Sequence, residues 1–302
     1  MRVEQAFIER AFQWHKRLAI GLSAAVAALF LLAIPSFANV FEIDDRRLIT
    51  PDDQMGFVGV IACADTKRIP TASLITTPDA NPQRRHEVIT TVAHAFFTKD
   101  GDRWQDCSFL PEGDPTRALP ITYVMTGTST PGKGWNDDWA VAVVQGRVST
   151  DMPLPLPLSV DLGAIEEHRT AGAFIQLAGH NGERLPMLMS ENCGPRHKRS
   201  GSHNFGDARV FNHDCDMISG WSGGPLLLRT PTDVFTIAVN STRFNPVVHQ
   251  TGFPFDDRFN PNTAIRVDND FLAAIKRLTV DGAPIQLADS TSVCSSGEQA
   301  DC

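Results

Sequence analysis

The chain has 302 residues, 42% hydrophobic and 21% charged, with 35 acidic side chains against 27 Lys and Arg, a formal charge of −8. This is the composition of a folded protein with enough apolar material for a sizeable core. The acidic balance disfavours general binding to nucleic acid or anionic membranes; the short run Arg196, His197, Lys198, Arg199 is the local exception and reads as a solvated loop.

Reading from the N-terminus, Lys16 and Arg17 precede an apolar run from Leu18 to Ile34. Pro35, Ser36, Phe37 and Ala38 follow, with small residues three positions and one position before a cut after Ala38. Residues 1–38 therefore read as a signal peptide. The apolar run is shorter than the roughly 20 residues of a spanning helix. The region ahead of it is long for a signal, so a retained inner-membrane anchor through residues 18–34 is the alternative. Removal of Met1–Ala38 takes four basic and two acidic side chains, which moves the charge from −8 to −10. The expected location is secreted or periplasmic.

Beyond the signal, short β-like runs recur between turn residues: Phe57–Ala62, Ala72–Thr76, Val88–Val92, Ile121–Met125 and Trp139–Gln145, then Ala173–Ala178, Leu226–Arg229 and Phe235–Asn240. They are rich in Val, Ile, Thr and Phe and bounded by Gly, Pro, Asp and Asn, which predicts an all-β barrel or sandwich. Between the two groups, Ser149–Ser159 carries Pro153, Pro155 and Pro157, which cannot donate to a regular ladder. It reads as a linker, which divides the chain into residues 39–152 and 153–288. Asp268–Leu278 has a helical pattern, with Asp268 or Asn269 as cap and Phe271, Leu272, Ile275 and Leu278 on one face. A polar tail, 289–302, closes the chain and is expected to be mobile. An even count of six cysteines in an exported chain predicts three disulfides. Sequence alone permits 15 pairings, and chain order suggests Cys63–Cys107, Cys193–Cys215 and Cys294–Cys302.

Three segments carry chemistry. In Gly220-Trp221-Ser222-Gly223-Gly224-Pro225, glycines let the chain turn tightly around a serine, exposing its hydroxyl together with backbone N–H donors for an oxyanion. A serine hydroxyl is a poor nucleophile without a base. A candidate base, His94, lies between Ala93 and Ala95 at the end of the apolar run Val88–Val92. A candidate orienter, Asp138, immediately precedes the apolar run beginning at Trp139. A carboxylate buried there needs a donor, and an imidazole N–H would fix the tautomer in which the other ring nitrogen accepts the serine proton. Asp137 reads as a turn or capping residue.

The ordered set TTVAHAF (90–96), DDWAVAVV (137–144) and GWSGGP (220–225) resembles the trypsin/chymotrypsin superfamily. His213-x-Cys215-Asp216 ahead of the serine motif is most similar to its bacterial V8-like, or glutamyl endopeptidase-like, branch. The resemblance spans about Arg47 to Leu278. It implies two six-stranded antiparallel β-barrels closed by a C-terminal helix, and a serine endopeptidase working through an acyl-enzyme. By the same resemblance His94 is the base, Asp138 its orienter, Ser222 the nucleophile, and the N–H groups of Gly220 and Ser222 the oxyanion hole. It also implies that Asp216 lies at the base of the S1 pocket, where it would select Arg or Lys. Asn240 and Ser241 would line that pocket, and His213 is a candidate contact for an acidic P1 side chain. Two departures stand out. Ala95 replaces a cysteine usual after the histidine, and Trp221 replaces the aspartate that in the trypsin branch pairs with a new N-terminal amine. Trp221 cannot form that ion pair, which argues against trypsin-style activation.

The resemblance implies no cofactor and no metal, protein or peptide substrates, and a monomer. The rival readings are a non-catalytic protease-fold binding protein, an esterase, and a zinc site drawn from Cys193, His197, His203, His213 and Cys215. The spacings of that last set match no compact finger.

Overall fold

The computed structural model describes residues 45–148, 153–180, 186–196, 208–243, 261–282 and 293–295, with 192, 242, 243 and 293–295 described as backbone only. All of them fall within one compact unit spanning Ala38–Cys302. The segment 1–38, the Cys294–Cys302 pairing, residues 149–152 of the connector, His197–Arg199, and the tail apart from 293–295 lie outside them.

Six strands close the first barrel: β2 (Val58–Ala62), β3 (Thr71–Ile75), β4 (His86–Thr91), β5 (Ser108–Pro111), β6 (Leu119–Thr126) and β7 (Ala140–Gln145). They run in the order β6-β5-β2-β3-β4-β7, and a β6–β7 pairing returns to the start. Every residue of β3 is buried, as are the first five of β7, so both faces of these strands are covered. That explains why they read as continuous apolar runs rather than as alternating ones.

The second sheet runs β10 (Met187–Cys193), β9 (Phe174–His180), β12 (Pro225–Arg229), β13 (Val234–Arg243), β14 (Asn262–Arg266) and β11 (Val210–His213). A single antiparallel bridge, Pro195 with His213, joins its two ends into a ring. The Cys193–Cys215 disulfide lies on the same seam, and Cys63–Cys107 ties β2 to the start of β5. The expected pair of six-stranded antiparallel barrels is thus present.

Among the described residues, three short pieces extend these sheets. β1 (Arg47–Leu48) pairs with β10, so this N-terminal stretch joins the second sheet rather than the barrel that follows it. β15 (Val293–Ser295) pairs in parallel with β6, giving part of the expected mobile tail a fixed register. The Pro-rich connector also departs from expectation: Leu156–Pro157 forms β8, parallel to β13. It is fastened to both barrels, because Pro155 O accepts from Thr76 N at 3.2 Å and Leu158 N donates to Thr236 O at 3.0 Å. Proline removes donors but leaves carbonyls and the intervening leucine amides available.

Among the described residues, two α-helices cover the barrels. α1 (Leu162–Thr170) is capped by Asp161, whose carboxylate accepts from Ala164 N at 2.8 Å, and buries only Ile165. α2 (Asn269–Val280) is capped by Asp268 through Phe271 N at 2.9 Å. It buries Phe271, Ala274, Ile275 and Leu278 and packs on β7 and β4. Phe271 stacks on Trp139 with ring centroids 5.0 Å apart. That places the helix directly behind the residue following Asp138. Among the described residues, no helix is long and apolar enough to cross a membrane.

Candidate active site

Strand register brings His94 and Asp138 together. β4 and β7 are antiparallel with Thr91 opposite Ala140, so the residues just after Thr91 and just before Ala140 emerge at the same barrel end. A short turn, Ala93–Ala95, follows β4 and carries His94. A second turn, Trp135–Asp137, ends at Asp138. The Asp138 carboxylate accepts twice from this partner, at 2.7 Å from His94 Nδ1 and at 2.9 Å from the His94 backbone N–H. An ionised carboxylate at Nδ1 requires that nitrogen to carry the proton, which leaves Nε2 as the acceptor. Asp138 is 4% exposed at its side chain and His94 26%: the carboxylate is sealed and the imidazole open to the cleft. Asp137, beside it, pairs with Arg209.

The loop that carries Ser222 is gripped from both barrels. From the first, Thr71 N donates to Ser222 O at 2.8 Å and Thr71 Oγ1 to Gly220 O at 2.8 Å. From the second, Gly223 N donates to Asn240 O at 2.6 Å, and Asn240 Nδ2 to Trp221 O at 2.9 Å. Gly223 has φ +83°, and a Cβ there would lie 2.1 Å from both Thr71 O and Thr91 Oγ1, so only glycine fits. Gly220 has φ +96° and presses against the His180 ring. Trp221 is fully buried, with its indole flat on Gly179 of β9, where a Cβ would meet the ring at 2.4 Å. An apolar plug therefore anchors this loop where the trypsin branch would use an ion pair. Among the described residues, the N–H groups of Gly220 and Ser222 donate to no protein acceptor.

Ser222, His94 and Gly220 line one cleft of about 590 Å³ together with Lys67, Arg68, Ile69, Pro70, His180 and Ser219. The Ser222 hydroxyl donates to Ser241 O at 2.9 Å, and no hydrogen bond joins it to His94 among the described residues. Ser241 Oγ donates to Asp138 Oδ2 at 2.7 Å. Asp138 thus receives three donors, two from His94 and one from the second barrel, so its buried oxygens are satisfied by hydrogen bonds.

The residues expected around S1 are brought close to one another but turn to internal partners. Asn240 and Ser241 are buried and bond the loop and Asp138, as above. His213 is fully buried; its Nδ1 accepts from Cys215 N at 3.3 Å and its Nε2 donates to Asn240 Oδ1 at 3.1 Å. Loss of solvent lowers its pKa to about 4 despite the Asn240 bond, so the ring is neutral at pH 7. Asp216 is also fully buried. Its carboxylate accepts from Asp45 N at 3.2 Å, and its own N–H donates to Ser190 Oγ at 3.1 Å. Ser190 in turn bonds the Asp45 carboxylate at 3.0 Å. Next to His213, burial pushes the Asp214 carboxyl up although it accepts from Gly194 N at 2.6 Å. Of the five residues in the zinc set, Cys193 and Cys215 are joined to each other, and His197 and His203 lie outside the described residues.

Several contributors carried no signal in the sequence. Thr71 and Thr91 are ordinary strand threonines until β3 and β4 are placed against the serine loop. Gly179 and His180 end β9, and their contacts with Trp221 and Gly220 join segments about 40 residues apart. Lys67 and Arg68 sit in a loop with no pattern of its own.

No protein-family model matches this chain, and no curated protein does. Solved structures do. A Glu endopeptidase solved in complex with MPD superimposes with a TM-score of 0.55 at 14% identity, over 80% of this chain and 99% of that one. The protease Anisep from Arthrobacter nicotinovorans does so with a TM-score of 0.53 at 12% identity, over 78% and 99%. The fold is that of the chymotrypsin-like serine proteases, two β-barrels with a C-terminal helix.

Proposed function

We propose that the chain is an exported serine endopeptidase with Ser222 as nucleophile, His94 as base and Asp138 as orienter. The observation that carries this reading is the doubly bonded His94–Asp138 pair opening onto the cleft that also holds Ser222 and the unengaged amides of Gly220 and Ser222. On this reading the Ser222 hydroxyl leaves Ser241 O and donates to His94 Nε2. His94 then takes the proton as the serine oxygen attacks the substrate carbonyl. The two amides receive the charge that develops on the carbonyl oxygen. The imidazolium, steadied by Asp138, returns the proton to the departing amine. Water repeats the sequence to release the acyl half. The Cys63–Cys107 and Cys193–Cys215 disulfides fit an oxidising compartment, which supports a secreted or periplasmic location, and the substrates on this reading are proteins or peptides.

The test is cleavage of a peptide library by purified residues 39–302. The wild-type protein is expected to release fragments from a defined set of sequences, and Ser222→Ala to release none while keeping its circular dichroism spectrum. Equal cleavage by both proteins would remove Ser222 from the reaction.

A further inference from the structure

We propose that the cleft beside Ser222 receives the leaving-group half of the substrate and selects acidic residues there through Lys67 and Arg68. The inference rests on the serine endopeptidase reading and adds a substrate class to it. The imidazole that takes the serine proton must return it to the departing amine, so the leaving half begins in the cleft that His94 lines. The acyl half stays across Ser222, on the side of Ser241, whose carbonyl accepts the Ser222 hydroxyl at 2.9 Å.

The wall of the cleft facing the leaving half is Lys67–Pro70 with His180. Both cations are exposed, and neither side chain forms an ion pair or hydrogen bond among the described residues. The nearest acid in sequence, Asp65, accepts from Gln105 N at 3.1 Å. The segment has a fixed position relative to the nucleophile. Pro70 O accepts from Ile61 N at 2.9 Å, and the next residue, Thr71, donates to Ser222 O at 2.8 Å. Its other tie is to the second barrel: His180 Nε2 donates to Ile69 O, and the same ring backs Gly220. Two cations whose backbone is tied to the reacting serine at one end and to the wall behind the oxyanion donors at the other present positive charge to the first residues after the cleaved bond. In a chain of net charge −8 this is a local reversal of sign at the position where a substrate would meet it.

The experiment uses peptides that share one acyl half, taken from the best library sequence, and differ only in the two residues after the cleaved bond: Asp-Asp, Gln-Gln or Lys-Lys. The wild-type protein is expected to favour Asp-Asp over Lys-Lys by about tenfold in kcat/KM, the scale of two exposed ion pairs. The ratio should fall toward one as salt is raised to 0.5 M. The double variant Lys67→Glu with Arg68→Glu is expected to invert the ratio. Equal rates for the three peptides, or an unchanged ratio in the double variant, would overturn the proposal. Fluorophosphonate labelling of the wild-type protein is read alongside. Labelled protein without an acidic preference ends this inference alone, whereas unlabelled protein ends the catalytic reading beneath it.

Discussion

At the scale of single residues, Asp138 is the point where the two barrels meet chemically. It holds both donors of His94 from the first barrel and Ser241 Oγ from the second. Replacing Asp138 by Asn presents an amide N–H or a weaker acceptor to Nδ1 and permits the wrong tautomer. Turnover should drop by a factor on the order of 10⁴ with the fold retained, as measured by kcat on the best library peptide. Replacing Ser241 by Ala removes one charge-assisted bond and leaves His94–Asp138 intact. Its expected cost is about ten- to a hundredfold in kcat with little change in KM; a change confined to KM would instead assign Ser241 to substrate binding. The triad candidates were legible in the sequence because each sits at the edge of an apolar run: His94 after Val88–Val92, Asp138 before Trp139, Ser222 among turn glycines. The work of Asn240 and Ser241 was not legible. Sequence position places them beside a substrate pocket, whereas burial turns their side chains to His213, Trp221 and Asp138, and burial is decided by strands distant in the chain.

At the scale of elements, the serine loop and the terminal helix are the parts that fix the site. Gly223 has no room for a side chain against Thr71 O and Thr91 Oγ1, so Gly223→Ala should displace the loop. Combined with backbone strain of about 1–3 kcal/mol at its positive φ, this should lower the melting temperature and abolish labelling of Ser222. Phe271 of α2 stacks on Trp139, and Phe271→Ala should cost about 3–5 kcal/mol in urea unfolding. Strands rich in Val, Ile and Thr were visible in the sequence to within a few residues: Val88–Val92 proves to be His86–Thr91, and Leu226–Arg229 proves to be Pro225–Arg229. Met187–Cys193, Val210–His213 and Asn262–Arg266 were not, because Met, Ser, Glu, Asn and His in short runs carry no period. Their pairing is supplied by neighbours, and by the Cys193–Cys215 bond at the seam. Helix α1 carries no signal in the sequence for a related reason: with Ile165 alone buried, it has no apolar stripe.

For the whole molecule, acid stability follows from the buried groups along the barrel seam. His213 has a folded pKa of about 4 against an ordinary 6.5. The unfolded chain therefore binds more protons between those values, and the stability contributed by the neutral ring is present above 6.5 and lost as pH falls toward 4. The loss is roughly 3 kcal/mol for a shift of this size. Asp214 opposes it, since a carboxyl raised by burial stabilises the fold as it takes up a proton. Comparison with His213→Gln, which keeps a donor for Asn240, isolates the histidine: the variant should lose less stability than wild type between pH 7 and pH 4 in urea titrations. A second, lower window belongs to Asp53, held well below the usual carboxylate range by Arg47; its contribution is present above its ordinary value and is lost only as pH falls beneath it.

The two-barrel frame, the seam and the loop contacts surround the arrangement proposed above, in which His94 would activate Ser222 and Asp138 would orient His94. The most direct measurement is mass-spectrometric mapping of the adduct formed when purified protein reacts with a fluorophosphonate. The account predicts one adduct per chain, located on Ser222, absent from His94→Ala and formed far more slowly in Asp138→Asn. An adduct on another residue, or labelling of Ser222 that proceeds at the same rate without the imidazole, would contradict it.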